Sequence, residues 1–161
     1  MYKKNDYVVY RHDVCIIKNI KENKINGKVY YVMSPLDDET LTIDIPIQNE
    51  NIYLRNIISK DEAEKIIKNI KLIEPLDNIN DRNIEAQYKY LINTFKHEDL
   101  IKIIKTTYLR NAMRSNNKKK ISEKDNNYFL LAEKYLYNEL SIALNKSIQE
   151  VKEYIYEEVN K

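Results

Sequence analysis

The sequence predicts an α+β protein in two domains: a small antiparallel β-barrel or sheet over residues 1–58, and an all-α domain of five helices over residues 59–161. Three observations predict it. Apolar residues recur with a period of two in the first sixty positions and with spacings of three and four afterwards. The chain's only Gly stands in an Asn26-Gly27 pair between two β-rich runs, the strongest short hairpin signal. Helix-start patterns at Ser59, Ser122 and Ser147 all fall after the change of period.

Asp6 to Tyr10 and Val14 to Ile20 read as the first two strands, and Val29 to Met33 as the third. Ser34 to Glu39 is a polar turn. Thr40 to Pro46 then alternates, with Leu41, Ile43 and Ile45 on one face and Thr42 and Asp44 on the other. Pro46 stops the strand or marks a sheet edge. Ser59-Lys60-Asp61-Glu62 is a capping box, and a short helix behind it runs to about Ile73, before Pro75. A second helix is predicted from about Arg82 to Phe95, with Ile84, Tyr88, Leu91 and Phe95 on one stripe. A third starts near Glu98-Asp99, acids suited to a helix N-terminus, and carries Leu100, Ile103, Ile104, Thr107 and Tyr108. The fourth follows Ser122-Glu123-Lys124-Asp125, and the fifth follows Ser147-Ile148-Gln149-Glu150 and ends near Val159.

Composition narrows the function. The hydrophobic fraction of 43% supplies a core, while one Gly cannot form a phosphate-cradling loop, which needs several residues at positive φ. There is no charged-then-apolar leader and no apolar stretch near the ~18 residues of a membrane span, so the expected location is cytoplasmic. Two His, His12 and His97, lie in different modules, and Cys15 lacks a CxxC or HxxxH partner. Zinc needs three or four ligands, and a nucleophilic thiol needs an activating base. No catalytic residue, metal site or cofactor is therefore expected, and the chain reads as no enzyme. Cys15, within Val14-Cys15-Ile16-Ile17, reads as a buried structural thiol. Asp37-Asp38-Glu39 reads as a solvated turn.

The net charge of +2 is unevenly laid out. Residues 1–59 carry eight basic and eight acidic side chains, residues 96–124 carry nine against three, and residues 125–161 carry four against seven. The basic surplus marks where a nucleic-acid contact belongs. Arg110, Arg114 and either Lys102 or Lys105 on the third helix, with Lys118, Lys119 and Lys120 after it, could form one phosphate-facing strip. Such binding is mostly sequence-independent and salt-sensitive.

Taken in order, these motifs resemble the CarD/CdnL family of bacterial transcription regulators, whose first module also occurs in the transcription–repair coupling factor. The resemblance spans nearly the whole chain. Lys4-Asn5-Asp6-Tyr7-Val8-Val9-Tyr10-Arg11-His12 is similar to the family's opening, Ile25-Asn26-Gly27-Lys28 with Val29-Tyr30-Tyr31-Val32 to its hairpin, and Leu41-Thr42-Ile43-Asp44-Ile45-Pro46 to its next strand. Tyr88 and Asp99-Leu100 align with its Trp–Arg–Tyr–Gly–Asp region, and Ile121-Ser122 with the Leu-Ser opening its long helix.

The resemblance implies a Tudor-like first domain that binds the β-subunit lobe of RNA polymerase by sheet-edge pairing. Asn23, Lys24, Ile43, Asp44 and Ile45 are the implied polymerase-contacting residues, Asn23 and Asp44 standing where the family has Arg. It also implies a helical domain lying on upstream promoter DNA near the −10 element, where a Trp wedges into the minor groove. Ile84 stands at the Trp position, Gln87 at an Arg position, and Lys89 is retained. Preferential binding to the melted form would shift open-complex stability. The expected partners are the polymerase and promoter DNA, with the chain a monomer. The lost Trp and Arg leave a second reading open: a protein-only adaptor whose helices bind a protein partner.

Overall fold

The alternating apolar residues of the N-terminal part form a five-stranded antiparallel sheet that curls into a half-barrel. The computed structural model describes residues 1–77 and 81–161, in two units, Met1–Ser59 and Lys60–Lys161.

In the first unit the strands are β1 (Tyr7–Tyr10), β2 (Asp13–Glu22), β3 (Val29–Pro35), β4 (Ile43–Pro46) and β5 (Leu54–Asn56), in the order β4-β3-β2-β1-β5. Val8, Cys15, Ile17, Tyr31, Met33, Ile45 and Leu54 close over one face as the core. Each large apolar side chain buried here stabilises the fold by about 1.5–3 kcal/mol. The register of β2 on β3 shifts between Ile17 and Asn19, and from Lys18 onward β2 is exposed. The inserted residue ends the strict alternation and sharpens the local twist.

The Asn-Gly hairpin is present, and Gly27 holds φ of 69° as a tight turn demands. The loop, however, spans residues 23–28 instead of two residues: Asn23 N–H donates to the Lys28 carbonyl, and Gly27 N–H to that of Asn23. Two further elements were not predicted. A short helix, α1 (Glu50–Tyr53), follows a 3-10 turn at Ile47–Asn49, and β5 pairs with β1. β4 is also shorter than the predicted strand, leaving Leu41 exposed.

The second unit contains α2 (Lys60–Asn69), α3 (Ile84–Asn93), α4 (His97–Asn116), α5 (Glu123–Leu144) and α6 (Ile148–Val159). Its core is Ala63, Ile67, Ile84, Tyr88, Leu91, Leu100, Ile101, Ile103, Ala132, Leu136, Leu140 and Val151, with α4 packed along α5. Ser122 and Ser147 cap α5 and α6, their hydroxyls accepting from Asp125 N–H and Glu150 N–H.

The C-terminal ends of α4 and α5 use one device. Lys118 (φ 56°) and Asn145 (φ 51°) are left-handed, and the following amides reach back, Lys119 N–H to the Arg114 carbonyl and Lys146 N–H to the Ser141 carbonyl. Two stripe residues fall elsewhere than predicted. α3 ends at Asn93, so Phe95 lies beyond it at φ 59° and is exposed; Tyr108 is exposed on α4, where Thr106 and Thr107 are buried instead.

Candidate partner-binding edge and nucleic-acid interface

β4 ends the sheet. Its inner side pairs with β3 in the register Tyr31↔Ile45, Val32↔Asp44 and Met33↔Ile43, and no strand among the described residues pairs with its outer side. Ile45 is in the core and Ile43 packs against it, while Asp44 is exposed on the opposite face. This is the alternation of a strand with one buried face. A cleft of about 510 Å³ lies beside the hairpin and brings Asn23, Lys24 and Asp44 together with Tyr30 and Val32. Ile43 and Ile45 do not line it, so only their backbone is available to a partner. Asn23 is already employed: its Oδ1 accepts from Ile25 N–H at 2.8 Å and organises the loop. Lys24 is exposed.

Cys15 is fully buried, and that burial, with the Asp13 carboxylate nearby, pushes its thiol up to about 12. The thiol is therefore neutral near pH 7, and thiolate chemistry is closed to it. Among the described residues no group of three or more His, Cys, Asp or Glu gathers as a metal site, and no helix is long and apolar enough to cross a membrane.

In the helical unit the predicted DNA-contacting residues separate into two groups. Ile84 is 2% exposed, on the same buried stripe as Tyr88 and Leu91, so it presents no side chain to a base step. That placement as a wedge is corrected: the first turn of α3 faces inward because its apolar spacing is the core spacing. Arg110 is likewise turned inward. Its Nε donates to Asp125 at 3.0 Å, and its outer nitrogen bonds Asp81. Asp125 is fully buried and accepts a second bond from the Tyr88 hydroxyl at 2.8 Å. Burial and this bond raise the Tyr88 hydroxyl well above the usual phenol range. A guanidinium paired with a buried carboxylate is not on offer to a phosphate, so the predicted role of Arg110 is corrected too.

Arg114 lies 3.7 Å from Asp81, and Lys105 donates to the carbonyls of Ile70 at 2.5 Å and Ile73 at 2.6 Å, closing the end of α2. Lys102 lies 3.8 Å from Asp99. The second group is outward. Gln87 and Lys89 are exposed on α3, Lys89 lying 3.7 Å from Glu85. Lys118, Lys119 and Lys120 are all exposed just past the end of α4. There they also meet the negative end of the helix dipole.

A feature that sequence reasoning missed is a pocket of about 280 Å³ between α4 and α5, bounded by Tyr108, Ala112, Ser115, Ile121, Asn126 and Phe129 among others. The only signal for it was Tyr108, placed on a core stripe; its partner Phe129 is distant in sequence, with ring centroids 6.5 Å apart.

No protein-family model matches this chain, and no curated protein sequence matches it.

Proposed function

We propose that the chain is a transcription regulator of the CarD/CdnL type, acting in the cytoplasm and without catalysis of its own. In this reading the first unit is a Tudor-like domain that adds its β4 edge to a strand of the RNA polymerase β-subunit lobe. The second unit lies against upstream promoter DNA near the −10 element and alters open-complex stability. The observation that supports it best is β4 itself: a short terminal strand with an unpaired outer side, next to a cleft that gathers Asn23, Lys24 and Asp44. Edge pairing draws affinity from main-chain hydrogen bonds and tolerates side-chain change. DNA contact in this reading rests on Lys118, Lys119 and Lys120 with Gln87 and Lys89, and is mostly to phosphates.

A second reading is favoured by the burial of Ile84 and the internal pairing of Arg110. It is a protein-only adaptor whose helices bind another protein. Open-complex lifetime on a promoter, with and without the full chain, separates the two. The regulator changes that lifetime, and Lys118→Ala/Lys119→Ala/Lys120→Ala abolishes the change while polymerase capture persists; the adaptor leaves it unchanged. Failure of the full chain to capture the β-subunit lobe sinks both readings as far as the polymerase is concerned. Asp44 adds a finer test, since it is exposed and stands at an implied Arg position. Asp44→Arg should tighten capture severalfold, mainly through the association rate, and lose that gain at high salt.

A further inference from the structure

The pocket between α4 and α5 combines three properties that seldom meet by chance on a structural surface: facing aromatic rings, an unengaged amide, and a lysine-rich rim. Tyr108 is 63% exposed and its ring lies 6.5 Å, centroid to centroid, from that of Phe129 at a tilt of 34°. Two layers of van der Waals contact need about 7 Å, so the two rings stand near the separation that admits one flat ring between them. The volume of about 280 Å³ is at the small end of ligand pockets, which suits a single planar ring system and not an extended cofactor.

The polar walls are divided. Asn111 is occupied in clamping the loop, its Nδ2 donating to the Ser122 carbonyl and its Oδ1 accepting from Ser122 N–H. Asn126 is half-buried and its side-chain amide has no hydrogen-bond partner among the described residues, so one donor and one acceptor face the pocket's occupant. The wall residues Ser115 and Ile121 are joined by the segment 116–120, which holds Lys118, Lys119 and Lys120 at the rim. From Tyr108 to Ile121 the chain has five basic side chains and no acidic one. An apolar peptide side chain would use the rings but neither the amide nor the lysines.

We propose that this pocket is a slot for one unstacked base of a single-stranded nucleic acid. Tyr108 and Phe129 flank the base, Asn126 reads its edge, and the lysines hold the adjoining phosphates. The inference rests on the DNA-contacting reading above and names the strand form that it selects. Aromatic stacking of this kind is sequence-tolerant because every base has a π-face.

The test uses the full chain and a thymidine 15-mer carrying one central 2-aminopurine, against the same sequence as a duplex, at 50 mM salt. The expected result is tighter binding of the single strand and a change in 2-aminopurine emission. Tyr108→Ala should weaken single-strand binding about tenfold or more and remove the emission change. Ala112→Leu, which fills the slot without removing a ring, should do the same, with helical content unchanged in both. Lys118→Ala/Lys119→Ala/Lys120→Ala should instead reduce the salt slope by about two and keep the emission change. Equal binding of both forms, with Tyr108→Ala silent, overturns the slot and leaves the DNA-contacting reading standing. No binding of either form overturns both. A wild-type dimer that Tyr108→Ala dissociates shows the face to be an interface between copies, and overturns the slot.

Discussion

In the sheet unit the buried side chains of the described residues are apolar apart from Ser34 and Tyr31, whose hydroxyl donates to Glu50. In the helical unit Asp99, Asp125 and Glu139 are buried with Thr106 and Thr107. Each acid is answered: Asp99 by the Thr94 hydroxyl at 2.6 Å, Asp125 by Arg110 and Tyr88, and Glu139 by His97 Nε2 at 2.7 Å. The difference teaches that formal charge overstates the outward field of the second unit. Part of its basic surplus is consumed in holding the fold, and the outward remainder is concentrated at Lys118, Lys119 and Lys120.

The sharpest way to break this comparison is to remove one buried acid. Asp125→Ala strands Arg110 and the Tyr88 hydroxyl, and breaking a buried pair from one side costs about 3–5 kcal/mol. Urea denaturation of the variant measures it. A loss below about 1 kcal/mol would show that the helical core, like the sheet, is held by its apolar residues alone. The matching change in the sheet is Ile17→Val, which deletes one methylene from a fully buried position. It should cost about 1 kcal/mol, and a much larger loss would mean that the half-barrel is more tightly constrained than its apolar core suggests.

A third change acts on the backbone. Lys118 occupies the left-handed position that usually takes Gly, at a cost of about 1–2 kcal/mol for a side chain with a Cβ. Lys118→Gly should therefore stabilise the helical unit by about 1 kcal/mol, read from the same urea midpoint. Asn145→Gly should gain less, because Asn tolerates that conformation.

What could be read beforehand was local. The Asn26-Gly27 turn, the Ser122 and Ser147 caps, and the stripe of Ile84, Tyr88 and Leu91 all depend on neighbours within a few positions. That stripe already implied that Ile84 is core, and the resemblance to a Trp position pulled the reading outward. What could not be read was non-local. β5 is three residues long and exists through its ladder with β1. The partners of Arg110 lie 15 and 29 positions away, and those of the Tyr108–Phe129 pair on different helices. A charge count sees Arg110 and Lys118 as equals; only packing separates them.

The smallest expected effect is in acid. The Asp81 carboxyl is held below its usual range by its hydrogen bond to Arg110, and Glu85 by its bond to Lys124. A carboxyl depressed in the folded state stabilises it above the unfolded value and loses that stabilisation as pH falls through the folded one, here below about pH 4. Glu133 is opposite: burial raises it, so its contribution is larger in acid and is lost as pH rises through its raised value. Asp81→Asn should flatten the acid limb of a stability–pH profile, and Glu133→Gln should raise stability most above the range where Glu133 ionises. Both shifts should be small next to that of Asp125→Ala, because Asp81 is open to solvent and screened. If Asp81→Asn instead matched Asp125→Ala, Arg110 would be anchored from outside, and the contrast between an inward-paired helical core and an apolar sheet would lose its basis.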